Sequence, residues 1–343
     1  MRIVAVLAAL VVAAAPAAHA DPVADFYKGK TVTINVGYGV GGGYDTVTRF
    51  VARWIGKHIP GEPNVVVSNM PGSGSMLAAN NLYNQAPKDG TVLAVFASST
   101  ALEPLFGNDQ ARYQTDKFEW IGSLDTDVNA CGVWKGAGQN IKTLDDLIHA
   151  KKTVTFGASA PAASSAQHVQ FLKKMFNANV KVILGYDGTN GVKLAMERGE
   201  VDAACGLQAN SVKTTYMQSV RDGDLTFFVQ FGREPNPLFG KTATMMYSEI
   251  KGEENMQIAE LIFRQTELSK PFAAPPGTPK DRVAALRKAL VDCMKDPGMI
   301  AEAEKINFEL NPIPGEVLAK AFADFGKTPP ALAKKSVEYT QPD

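Results

Sequence analysis

From Thr31 onward, short β-rich runs alternate with runs of helical period. "TVTINVG" predicts a strand, and the segment after it carries Val47, Phe50, Val51, Trp54 and Ile55 at the spacing of one apolar helical stripe, with Asp45 where an N-cap belongs. "NVVVSN" reads as the second strand, "SMLAANNLYNQA" as a helix and "GTVLAVFAS" as a third strand. A second block repeats the rhythm with "KTVTFGAS", "SAQHVQFLKKMF", "VKVILGY", "NGVKLAMERG" and "VDAACGL". Further on, "PGTPKDRVAALRKALVDCM" predicts a helix with Thr278 as N-cap and Pro279 in its first position, presenting Val283, Leu286, Leu290 and Met294 on one face. Strand and helix in alternation mean an α/β fold. With no Gly/Ser linker between the blocks, strands are expected to run from one lobe into the other.

The N-terminus changes the picture. Arg2, the apolar run Ile3 to Ala15 and the small-x-small pattern Ala18-His19-Ala20 read as an export signal cleaved after Ala20. The mature chain then begins at Asp21, and the absence of Cys there argues against a lipid anchor. No later stretch approaches the roughly 18 to 20 apolar residues of a membrane span, so a soluble protein of the periplasm is expected. Its length, about 320 residues after cleavage, suggests two domains. Lys and Arg number 35 against 35 Asp and Glu, so no net charge steers it to nucleic acid or anionic lipid. Three cysteines, Cys131, Cys205 and Cys293, exclude a disulfide-built scaffold but leave room for one pair.

"INVGYGVGGGYDTVTRF" poses the chemical question, because Gly37, Gly39 and Gly42 spell G-x-G-x-x-G between a strand and a helix. A dinucleotide site also needs an acidic residue after the second strand, and "NVVVSN" ends in Ser68 and Asn69. No Gly-Lys-Ser/Thr follows, so a P-loop is excluded as well. What remains is an anion site, made of bare backbone and the N–H groups at a helix start.

Other loops point the same way. "NMPGSGSM" places Ser73, Gly74 and Ser75 before a helix, and "FASST" places Ser99 and Thr100 after the third strand. In the second block "GASAPAASS" supplies Ser159 and Ser164, and "GYDGTNG" supplies Asp187 and Thr189. Ligands in open α/β sheets sit off the carboxyl ends of strands, where all these loops lie. Catalysis finds little support. Neither "GSGSM" nor "GASAP" fits G-x-S-x-G, and His168, beside a serine cluster, reads as a helix-surface or second-shell residue rather than a base. No ligand spacing for a metal occurs, and no cofactor is expected. Asp125 and Asp127 read as structural or solvated residues flanking an interdomain crossover.

Five of these segments, in order, resemble the substrate-binding receptors of tripartite tricarboxylate transporters, the Bug or TctC-like family: "GYGVGGGYD", "NMPGSGSM", "PKDGTVLA", "GEVDAAC" and "APPGTPKDRV". The resemblance implies a type II periplasmic binding protein, α/β, with two lobes joined by crossover strands. Residues 1–20 would be the signal, 21–126 and 233–343 lobe I, and 127–232 lobe II, with the return crossing near Phe227 to Gly232. It implies a monomeric receptor that binds a small organic carboxylate and delivers it to a large and a small integral membrane subunit. A sensor role without transport is the alternative, and an exported enzyme a distant third. Gly42, Gly43, Asp45, Ser73, Gly74, Ser75, Ser99 and Thr100 are expected to form the carboxylate lobe, Asp45 as a loop organiser. Ser159, Ser164, Asp187, Thr189 and Gln208 would serve in the other lobe. Tyr38 and Tyr44 stand where the family has other residues. They are either walls that suit an aromatic acid or, for Tyr38, packing between strand and helix. Cys131 and Cys205, at second-lobe strand ends, are either a disulfide or a pair of buried thiols.

Overall fold

The described residues of this computed structural model, 21–137 and 140–341, form two six-stranded sheets. The expected leader, Met1 to Ala20, lies outside the described residues. The first sheet holds β1 (Thr31–Val36), β2 (Asn64–Asn69), β3 (Val92–Val95), β4 (Glu119–Ser123), β11 (Phe272–Ala274) and β12 (Ile313–Pro314), in the order β12-β4-β11-β3-β1-β2. The second holds β5 (Asn129–Trp134), β6 (Val154–Gly157), β7 (Val180–Ile183), β8 (Ala203–Gln208), β9 (Leu225–Gln230) and β10 (Thr244–Met245), in the order β10-β9-β5-β8-β6-β7.

The two sheets share one plan. β1 pairs in parallel with both β2 and β3, as β6 does with β7 and β8. Beside each parallel trio lies one antiparallel strand, β11 against β3 and β5 against β8. Each of these is the strand by which the chain enters that sheet from the other, so the crossings are part of the sheets themselves.

Core residues lie on both faces of each sheet, so the inner parallel strand β3, VLAV, reads as one apolar run, whereas the edge strands β2 and β7 are only partly buried. Along β3, Leu93 and Val95 join the core under helix Gly43–Ile55 and helix Lys280–Cys293, whereas Ala94 and the following Phe96 join the core under helix Met76–Asn84 and helix Gly315–Phe325. A fully buried side chain such as Phe50 or Phe96 contributes about 1.5–3 kcal/mol over its exposed state.

Two helix starts differ from expectation by a residue or two. Helix Gly43–Ile55 begins ahead of Asp45, with Gly42 as a cap that makes no side-chain bond. Helix Lys280–Cys293 has Pro279 as its cap, because the Thr278 hydroxyl instead donates to the Pro275 carbonyl.

The chain passes from β4 to β5 through Leu124–Val128. The return does not fall at 227–232, which is β9 inside the second sheet. Helix Glu253–Phe263 still packs Ile258, Ala259, Ile262 and Phe263 into the second-sheet core, and only past Ser269-Lys270 does β11 join the first sheet. The C-terminal helix Pro330–Thr340 also lies on second-sheet helices, through Leu332 and Tyr339. The expected cut at 233 therefore divides a continuous core; the apolar stripe of 258–263 belongs to whichever half buries it.

The two crossings are tied by a buried charge cluster. Lys270, 0% exposed, donates to Asp125 Oδ2 at 3.1 Å and to Ser269 Oγ at 2.9 Å, and lies 3.5 Å from Asp127. Asp127 accepts from the backbone N–H groups of Val128, Ala209 and Asn210. Asn210 Nδ2 donates to Asp125 at 2.9 Å. Desolvation pushes the Asp127 carboxyl up to about 6, with Lys270 opposing and Asp125 adding to the rise. The expectation that Asp125 and Asp127 flank a crossover thus becomes a specific job, pinning one crossing to the other.

Candidate functional site

The carboxyl ends of the parallel strands in both sheets face each other, and their loops touch. Gly39 N–H donates to the Asp187 carbonyl at 3.0 Å. A side chain on Gly43 would place its Cβ 2.2 Å from Ser211 Oγ of the other half, and one on Gly74 would come 3.1 Å from Ala163 N. Gly74 also holds φ at +65°, in the left-handed region that suits glycine. These glycines set how closely the halves approach.

Two adjoining compartments lie at this junction. The smaller, about 50 Å³, is lined by Tyr38 and Tyr44 from the first half and by Ser159, Ser164, Thr189 and Tyr216 among others from the second. The larger, about 160 Å³, lies between Gly37–Tyr38, Pro71–Ser75, Ser159 and Gly185–Asp187. Tyr38 and Ser159 border both. The Tyr38 ring packs against Tyr44 at a tilt of 34° with centroids 4.6 Å apart, and its hydroxyl donates to the Gly74 carbonyl. Desolvation pushes the Tyr38 phenol up to about 12, and it holds Tyr44 well above the ordinary range, with Tyr38, Asp125 and Asp127 adding to the rise. Both phenols stay neutral.

Three helices begin at this junction, Gly43–Ile55, Ser164–Phe176 and Thr189–Glu197. Their cap positions, Gly42, Ala163 and Gly188, make no side-chain capping bond. The Cβ position of Gly42 lies 3.9 Å from Thr189 N, so two positive helix ends meet across the divide. No Lys, Arg or His is among the residues lining either compartment.

Around this junction, several side chains chosen from sequence turn out to be scaffolding. Asp45, 2% exposed, accepts from Gly41 N–H at 2.9 Å, from Asn69 Nδ2 at 2.8 Å and from Arg49 Nε at 2.9 Å. Desolvation acts to raise its carboxyl, but the bonds from Arg49, Gly41 and Asn69 together hold it below its ordinary value. Asp45 thus folds the glycine loop back on its own helix. Ser75 Oγ accepts from Ala97 N–H and meets Thr100 Oγ1, which donates to the Gly74 carbonyl, so both hydroxyls are engaged in shaping the loop. Ser99 is buried and borders neither compartment. Gln208 Nε2 reaches Ser269 Oγ at the return crossing instead of a compartment. Ser73, Gly74, Ser75 and Asp187 border the larger compartment, and Ser164 and Thr189 the smaller.

The sequence reading missed Val192, Leu207 and Tyr216 in the small compartment. Tyr216, whose hydroxyl donates to the Thr189 carbonyl, arrives from a helix with no loop signature. His168, expected on a helix surface or in a second shell, is not on the surface: it is fully buried against Phe231 and Phe263. Desolvation lowers its imidazole to about 3, so it is neutral at ordinary pH. Another buried contact joins the halves: Gln167 Nε2 donates to Glu103 at 2.9 Å. Cys131 and Cys205, left open above, are joined as a disulfide between β5 and β8.

A family model described as the tripartite tricarboxylate transporter family receptor matches residues 47–324. The chain is 25% identical over 346 residues to the UPF0065 protein in the gbd 5′ region of Cupriavidus necator, covering 97% of this chain and 94% of that one. It is 29% identical over 191 residues to the UPF0065 protein in the TAR-I ttuE-ttuC′ intergenic region of Agrobacterium vitis, a match that spans 54% of each chain, about half the length of that relative. The fold is similar to that of periplasmic binding protein BugD (TM-score 0.73, 21% identity, 92% of this chain and 100% of that one). It is similar also to MatC from Rhodopseudomonas palustris with bound malate (TM-score 0.70, 19% identity, 90% and 99%) and to a second R. palustris protein with adipate (TM-score 0.68, 15% identity, 91% and 97%).

Proposed function

This chain belongs to the tripartite tricarboxylate transporter receptor family, and we propose that it is a periplasmic receptor that holds a small organic carboxylate between its two lobes and delivers it to a permease of one large and one small membrane subunit. The observation that carries the ligand class is the meeting of uncapped helix starts at Gly42 and Thr189 without a cation among the lining residues. Two positive helix ends this close repel each other, and an anion between them turns that repulsion into two attractions. Each such interaction is worth about 0.3–1 kcal/mol when exposed and up to ~2 kcal/mol when partly buried. A carboxylate therefore stabilises the closed arrangement selectively, which is what closure by population shift requires. The malate and adipate bound in two proteins of the same fold support the class.

On this reading the backbone N–H groups at Ser164 and Thr189, with the hydroxyls of Ser73, Ser159 and Ser164, hold the acid. Tyr38 and Tyr44 wall it in. Asp45 and Thr100 act through the loops they shape. The test is a thermal-shift screen of residues 21–343 against small carboxylates, malate and adipate included, with NAD as control. A ligand at 100 times its dissociation constant adds about 2.7 kcal/mol if it binds only the folded state. At about 2.1 cal/mol/K of unfolding entropy per residue that is roughly 4 °C for a chain of this length. A shift with one acid and none with NAD is expected. A shift with NAD alone would restore the glycine loop as a dinucleotide cradle.

A further inference from the structure

The Cys131–Cys205 disulfide occupies a place that the receptor reading leaves unused. It joins β5, the strand by which the chain enters the second sheet, to β8, and it does so where the backbone ladder is interrupted. The register of β5 slips between Ala130 and Gly132 against β8, and between Cys131 and Gly132 against β9. The covalent link thus stands where hydrogen bonds between these strands are interrupted.

Its two sulfur-bearing residues are not equivalent. Cys131 is 0% and Cys205 3% exposed, both in the second-sheet core, but Cys205 alone of the two also contributes to the wall of the small compartment, beside Gly206 and Leu207. The start of the 13-residue helix Ser164–Phe176 lies against the same spot. A Cβ on Gly206 would be 3.0 Å from Ser165 N and 3.3 Å from Ser164 Oγ. That uncapped helix end attracts an incoming thiolate to the Cys205 side of the bond. The remaining cysteine, Cys293, is buried in the first-sheet core and offers no partner for reshuffling.

We propose that Cys205 is a thiol-exchange site opening into the cleft, reached by low-molecular-weight thiols when the lobes part and covered when they close. The gating half of this inference rests on the two-lobed receptor reading. The thiolate of the incoming thiol attacks Cys205 Sγ, the Cys131–Cys205 bond breaks, and a mixed disulfide forms on Cys205. Cys131 leaves as thiolate and takes a proton from water. A second thiol molecule attacks the incoming sulfur, releasing the oxidised small disulfide and leaving two cysteine thiols. Two thiol molecules are oxidised and one protein disulfide is reduced. Reduction frees β5 from β8 at the slipped register, next to the Gln208 and Asn210 contacts that hold the crossings. Carboxylate affinity is expected to fall severalfold.

The experiment treats the native protein with reduced glutathione, quenches with N-ethylmaleimide and maps the peptides, with and without malate and across a series of low urea concentrations. Expected are glutathione on Cys205, maleimide on Cys131, a rate insensitive to low urea, and a several-fold slower rate in malate. Glutathione first on Cys131, or exchange that accelerates with urea in step with global unfolding, overturns the proposal, because a purely structural disulfide opens only when the protein does. Exchange at Cys205 without any effect of malate, in a protein whose melting malate shifts, overturns the gating half. Where malate shifts nothing, the failure lies with malate as ligand, and the site of exchange is still decided by the arm without it.

Discussion

Replacing Lys270 by Met removes the basic side chain that, among the described residues, lies within ion-pairing distance of both Asp125 and Asp127. In the native protein Lys270 Nζ lies 3.1 Å from Asp125 and 3.5 Å from Asp127, and the side chain is 0% exposed. Met fills nearly the same space, so what is lost is charge and hydrogen bonding: Ser269 Oγ and Asp125 lose a donor and Asp127 loses a nearby cation. Breaking a buried pair in this way costs about 3–5 kcal/mol, because the stranded charge remains buried. At about 2.1 cal/mol/K per residue, a loss of ~4 kcal/mol lowers Tm by roughly 6 °C.

The defect carries a pH signature. Asp127, pushed up to about 6 from its ordinary 3.8, binds its proton more tightly folded than unfolded. Its contribution to stability is therefore full below the ordinary value and lost as pH rises through about 6. Without Lys270 that window moves upward, so the variant suffers most near pH 8 and recovers towards pH 5, as measured by urea unfolding at about those two values. Adding Asp127→Asn to Lys270→Met should return about half of the loss at the higher pH. A defect below about 1 kcal/mol at high pH, or one equal at both, would falsify the view that Lys270 holds the crossings by charge.

Three other outcomes follow from the same geometry. Asp45→Ala strips the glycine loop of its bonds to Gly41, Asn69 and Arg49, and should cost about 1–3 kcal/mol and weaken carboxylate binding although the residue touches no ligand, with Asn at 45 recovering part of both; chemical denaturation and the ligand-induced melting shift read the two effects. Gly43→Ala drives a methyl into Ser211 of the opposite lobe, so ligand-induced closure by small-angle scattering should vanish while Tm without ligand stays near native, and Ser211→Gly in the same chain should restore it. His168, lowered to about 3 from 6.5 by burial, contributes stability that is whole above 6.5 and lost as pH falls towards 3, so His168→Phe should flatten the acid-side decline of wild type, which Asp127 protonation partly masks, while changing stability near pH 7.5 by less than about 1.5 kcal/mol.

The sequence by itself determined the local elements and the edge at which they present a ligand. The stripe from Val47 to Ile55, the β-rich run of "NVVVSN" and the Gly- and Ser-rich loops after strands each depend on neighbours a few residues away, where periodicity and turn chemistry act. The family, too, was legible in five short segments in order. Helix starts were missed by a residue or two at Asp45 and Thr278, because Asp45 is drawn to Gly41, Arg49 and Asn69 and the Thr278 hydroxyl turns back to the Pro275 carbonyl.

Tertiary structure alone decided three things. It placed residues 233–263 with the second sheet, since a stripe such as Ile258–Phe263 says that it must be buried but not against what. It turned the hydroxyls of Ser75 and Thr100 and the amide of Gln208 into loop and crossing contacts, while bringing Tyr216 to the wall of the small compartment. And it assembled Asp125, Asp127, Asn210 and Lys270, residues up to 145 positions apart, into one cluster. A residue's type sets the bonds it is able to make; which partner it finds depends on where distant chain segments converge, and that is settled only when the whole core closes.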